Sequence, residues 1–98
     1  MIARSWRGWT KAQDAEAYRR YIADTWVKDC KASRGSAGAF VFSRVVGDRA
    51  EIITLSLWDD EDCLRAFYGG DVNVPHFYPE DDKYIIDGDA QVVHYEAE

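Results

Sequence analysis

Two histidines, four tryptophans and an arginine set among aromatics near the start are the side chains with most chemistry to offer in this sequence. His76, in Val74-Pro75-His76-Phe77-Tyr78, carries an imidazole, a side chain able to move a proton or ligate a metal. Beside Pro75 it reads equally as a plain surface or lid histidine. Arg4 and Trp6 stand two residues apart and share one strand face, where an anion can stack on the indole and pair with the guanidinium. The plainer role for Arg4 is to cover an exposed edge. Trp58 ends the run Ile52-Ile53-Thr54-Leu55-Ser56-Leu57-Trp58, in which Thr54, Ser56 and the ring share a face. Small hydroxyls leave space beside an indole, so this face is expected to wall a pocket, with Phe67 and Tyr78 as further walls. The competing role for Trp58 is packing of the core or of an interface. His94, on the last apolar run, reads mainly as a structural histidine and secondarily as a substrate contact.

Other chemistries find little support. Glu80-Asp81-Asp82 are contiguous acids at a helix start, where they point in different directions and serve the helix dipole, so no metal site is expected. Cys30 and Cys63 form no CxxC and read as reduced structural thiols. There is no Gly-x-Ser-x-Gly, and neither cysteine has a histidine partner identifiable from the sequence. A net charge of -6 without a basic stripe argues against a nucleic-acid partner, because such binding rests on Lys and Arg neutralising phosphates. The apolar runs are far short of a membrane span, no signal-peptide core is present, and a cytoplasmic protein is expected.

These residues need a scaffold, and 98 residues suit one domain over 1–98. Residues 2–9 read as a strand with a tryptophan on each face. Thr10 and Gln13 suit a capping box opening an amphipathic helix over 11–27, in which Ala15, Tyr18, Ile22 and Trp26 recur at helical spacing. Residues 39–46 and the Trp58 run make a hairpin around Gly47-Asp48. Asp59 then caps a second helix that Gly69-Gly70 closes. Pro79 ahead of three acids predicts about two helical turns, and residues 91–96 a last strand. The order β-α-β-β-α-β is the ferredoxin-like arrangement: an α+β fold in which two helices cover one face of a four-stranded antiparallel sheet. Aromatic and aliphatic side chains on both strand faces predict a homodimer through the open sheet face.

Arg4-Ser5-Trp6-Arg7-Gly8-Trp9-Thr10, Thr54-Leu55-Ser56-Leu57-Trp58-Asp59, Phe77-Tyr78-Pro79-Glu80-Asp81-Asp82 and Val93-His94-Tyr95-Glu96 resemble small proteins of the antibiotic biosynthesis monooxygenase family, over nearly the whole chain. The resemblance implies a dimeric α+β barrel. It also implies one of two chemistries: cofactor-independent oxidation of an aromatic, phenol-like small molecule, or haem degradation with His76 as axial ligand. In the first, which needs no cofactor, His76 is the base, Arg4 the anion-stabilising donor and Trp58 part of the catalytic wall, with Trp6, Thr54, Phe67, Tyr78 and His94 around the substrate. Haem is the alternative cofactor, and a non-catalytic dimeric binding or stress-response module is the third reading. The asparagine of haem-degrading members on the first strand is replaced here by the Ser5-Trp6-Arg7 stretch. That of cofactor-independent members, four residues before the tryptophan, is Thr54.

Overall fold

The computed structural model describes residues 1–98 and is built around a long central strand, β1 (Ile2–Lys11). β1 pairs antiparallel with β3 (Arg49–Trp58) from Ile2 opposite Trp58 to Lys11 opposite Arg49. β3 in turn pairs with β2 (Ser36–Val46) through the tight Gly47-Asp48 turn, where Gly47 takes φ +66°, a conformation that glycine reaches without strain. The remaining edge of β1 takes the C-terminal strand in two pieces, β4 (Asp87–Gly88) against Gly8 and Trp9, and β5 (Val93–Glu96) against the Ile2 end. The sheet order is β2-β3-β1 with β4 and β5 together on the far edge, so the α+β, ferredoxin-like antiparallel sheet is present. Its fourth strand is interrupted: between the two pieces the Asp89 and Val92 amides bond Arg7 O and Asn73 O.

Alternation along the strands sorts the side chains as their spacing demands. Arg4, Trp6 and Thr10 of β1 and Ala50, Ile52, Ser56 and Trp58 of β3 are buried on the helix side. Phe40, Phe42, Val93 and Tyr95 are exposed on the other face, beside partly buried Ile53, Leu55 and Leu57.

The first helical segment runs on past the expected limit, as a 3-10 turn (Ala12–Asp14), α1 (Ala15–Ile22), a π turn (Ala23–Val27) and α2 (Lys28–Lys31). The expected capping box is absent: Thr10 is still in β1, fully buried, and its hydroxyl donates to Lys11 O. Pairing of β1 with β3 persists to Lys11 and takes Thr10 into the ladder before a helix can start. Inside the π turn the Thr25 hydroxyl donates to Tyr21 O at 2.7 Å, and the wider turn brings both Trp26 and Val27 inward. α3 (Glu61–Tyr68) begins one residue later than Asp59 would cap it: Asp60 accepts the Cys63 amide at 2.9 Å. Gly69, at φ +64°, ends α3 as expected. Beyond it the chain crosses the helix side of the sheet without regular structure, and the two turns expected after Pro79 shrink to a 3-10 turn, Asp81–Lys83.

Candidate functional site

A small cavity lies between the sheet and the first helical segment. Arg4, Trp6 and Thr54 form its floor, Tyr18, Ile22 and Trp26 one wall, and Pro75 to Tyr78 together with Asp81 the roof and the remaining side. Arg4, Trp6, Thr54, His76 and Tyr78, expected from the sequence to act together, do meet here. The cavity is about 20 Å³, room for one water molecule.

Three expected members stand elsewhere. Trp58 is fully buried and does not border the cavity. Its indole packs against Phe67 at 5.2 Å and Tyr68 at 6.0 Å, and its Nε1 donates to Ser56 Oγ at 2.9 Å. Phe67 belongs to the same core packing. The space that the small hydroxyl was expected to leave is filled, because Ser56 turns its oxygen to the indole and to Tyr68. His94 pairs in register with Arg4 but lines a separate surface hollow of about 290 Å³ with Ile2, Leu64, Glu61 and Arg65. Burial, then the charges of Arg4 and Arg65, lower its pKa, and its Nε2 is buried without a partner.

Arg4 is 4% exposed and has no carboxylate partner. Its Nε donates to Val72 O at 3.3 Å and its Nη2 to Val74 O at 2.7 Å, while the guanidinium lies 3.8 Å over the Tyr68 ring. Two carbonyls and a π face soften the burial of this charge without neutralising it. Burial lowers the arginine's pKa, opposed by Tyr68.

Trp6 lies flat on a bed that only glycine permits. A Cβ at Gly8 would come within 2.3 Å of the indole, and one at Gly88, the cross-strand partner of Gly8, within 2.4 Å. The ring is fixed by its Nε1 donating to Asp89 O at 2.8 Å and by Phe77 standing edge-on at 5.6 Å.

In the sequence Asp81 is one of three contiguous acids, with nothing to set it apart. Glu80 and Asp82 are exposed, yet Asp81 is 4% exposed and faces the cavity. Its Oδ2 accepts the Tyr78 amide at 2.6 Å, and its Oδ1 is buried with no partner in good hydrogen-bond geometry. Burial raises its pKa, opposed first by the Tyr78 amide, then by the nearby Tyr18 hydroxyl and by His76. No periodicity separates it from its neighbours; its position comes from the 3-10 turn, which folds the carboxylate back onto the Tyr78 amide.

His76 is exposed at the cavity mouth, edge-on to Tyr68 at 5.9 Å and to Tyr78 at 5.8 Å. Tyr78 is tied to the first helical segment by its hydroxyl, which donates to Asp29 Oδ2 at 2.5 Å. The roof is thus fastened at both ends, by Arg4 on Val72 and Val74 and by Asp81 and Asp29 on Tyr78. No hydrogen bond holds Pro75, His76 or Phe77 between them. Small-molecule sites run to about 300 Å³ and above, so a space of about 20 Å³ holds neither a phenol ring nor haem unless the Pro75 to Phe77 span moves outward.

The fold is that of the small ferredoxin-like α+β proteins. A provisionally assigned antibiotic biosynthesis monooxygenase from Bacillus cereus has a similar structure, with a TM-score of 0.56 over 96% of this chain and 87% of that one, at 13% identity. This supports the family resemblance at the level of fold. No family sequence profile and no curated protein matches the chain, and no helix is long and apolar enough to cross a membrane.

Proposed function

We propose that this chain binds a phenol-like aromatic small molecule in the Arg4 cavity and acts on it as a cofactor-independent oxygenase of the antibiotic biosynthesis monooxygenase type. The observation that carries this is the buried Arg4, which faces an aromatic-lined space with no carboxylate paired to it. A phenolate oxygen there gains charge-assisted hydrogen bonds, and its ring is sandwiched by Trp6, Trp26 and Tyr78. A deprotonated phenol is electron-rich enough to reduce oxygen itself, so the protein has to supply a dry cavity, a proton acceptor and a donor for the oxyanion. His76 at the mouth and Asp81 inside are the groups able to take the proton. Oxygen uptake with a polycyclic phenol, followed at an electrode, tests the reading: turnover in the wild type that is lost in Arg4→Met supports it, and no uptake with any phenol sinks the oxygenase.

The same proposal places a second copy of the chain on the outer sheet face, where Phe40, Phe42, Val93 and Tyr95 are exposed around an aliphatic centre. Sedimentation of wild type as a dimer and of Phe42→Glu as a monomer is the expected result. The closed cavity favours a second reading, a non-catalytic binding module of the same fold, which binds phenols without consuming oxygen.

A further inference from the structure

We infer that Asp81 is the proton acceptor of the cavity, taking the hydroxyl proton of a bound phenol while Arg4 receives the phenolate oxygen; this rests on the phenol reading above. The geometry divides the carboxylate into two parts. Oδ2 is held by the Tyr78 amide, which fixes the group's orientation, and Oδ1 is buried with no partner in good hydrogen-bond geometry, although the Tyr18 hydroxyl comes close enough to act on the carboxyl. An acceptor left unmet in a buried site is a strong local demand for a proton. Facing it are Tyr18 from α1, His76 and Tyr78 from the roof, Arg4 across the cavity and its neighbour Asp82.

Charge accounting favours the same step. Before binding, the cavity holds one cation, Arg4, and one carboxylate, Asp81. Adding a phenolate would bury a second anion against a single cation, which a low-dielectric site resists. Adding a neutral phenol and moving its proton leaves the total unchanged: the substrate O–H bond breaks, an Oδ1–H bond forms on Asp81, and the negative charge passes to the oxygen beside Arg4. No electron is transferred in this step. His76, exposed at the mouth, is placed to exchange that proton with solvent rather than to receive it first.

Calorimetry with 4-nitrophenol, at a pH where the free probe is already phenolate and in buffers of different ionisation enthalpy, reads the step directly. Wild type is expected to take up about one proton per probe bound, so its affinity falls about tenfold per pH unit above the probe's own ionisation. Asp81→Asn is expected to bind the phenolate with no proton uptake. Binding of the probe by Asp81→Asn shows that this variant is folded, and Asp82→Asn, altered at the exposed neighbouring acid, is expected to keep the uptake. Equal uptake in wild type and Asp81→Asn, or loss of uptake in Asp82→Asn, overturns the assignment to Asp81 while leaving the phenol site standing. No binding of the probe to wild type overturns the phenol reading and this inference with it.

Discussion

Two polar regions lie on either side of Tyr68, and they are made from similar parts. On one side Trp58 Nε1 donates to Ser56 Oγ, Ser56 and Tyr68 Oη are bonded at 3.0 Å, and Trp26 Nε1 donates to Tyr68 Oη at 3.2 Å. Cys30 Sγ, at 4.0 Å from Tyr68 Oη, accepts the hydrogen that remains if Ser56 donates to the tyrosine. On the other side Arg4 and Asp81 are as deeply buried, yet the guanidinium lacks a counter-charge within bonding distance and one carboxylate oxygen has no partner in good hydrogen-bond geometry. The first region is a closed circuit, and burial pushes both the Tyr68 hydroxyl and the Cys30 thiol up to about 12, so neither ionises near neutral pH. The second is open. A buried polar group points to function when its bonding capacity is left over, and burial alone does not decide the matter.

Substitutions can break that contrast. Trp58→Ala empties the largest fully buried site and is expected to destabilise the fold by about 3–5 kcal/mol, measured by denaturant unfolding; if Trp58 served a ligand instead, stability would change little and phenol binding would be lost. Arg4→Met is expected to weaken 4-nitrophenol binding by about 1.5–3 kcal/mol, the range for hydrogen bonds to charged groups, in the same calorimetric titration. Tyr68→Phe opens the closed circuit by stranding Trp26 Nε1 and one bond of Ser56, and about 1–3 kcal/mol of stability should go with it. Its ring still supports Arg4, so phenol affinity should hold, and a parallel loss of both would merge the two regions into one.

The smallest effect concerns His94. Its pKa is lowered in the folded chain, so the unfolded chain binds more protons as the pH falls through the ordinary histidine range. Stability therefore drops on acidification between about pH 7 and 5. Thermal melts of His94→Gln should show a shallower slope across that window, and an unchanged slope would assign it to other groups.

Much of the scaffold was legible because the signals are local. Alternation over residues 52–58, the Gly47-Asp48 turn and the glycines after α3 each specify a conformation without help from distant residues. Most of the misreadings are tertiary. Thr10 looked like a cap until its strand neighbours took it, and the hydroxyl of Ser56 looked like vacant space until an indole N–H used it. Asp81 differs from Glu80 and Asp82 only through a three-residue turn. The Arg4 and Trp6 pairing on one strand face was visible, but Gly8 and Gly88 as the bed of that indole required the pairing of β1 with β4.

The interrupted edge strand has a bearing on solubility. A continuous strand from 87 to 96 would expose an unbroken rank of amides and carbonyls, a template on which further copies can polymerise edge to edge. Here the rank is broken after Gly88, where the Trp6 indole and the Asn73 carbonyl draw the chain inward, and resumes only at Val93 for four residues. Filling that gap with a regular β-ladder would be expected to raise the tendency of copies to join edge to edge.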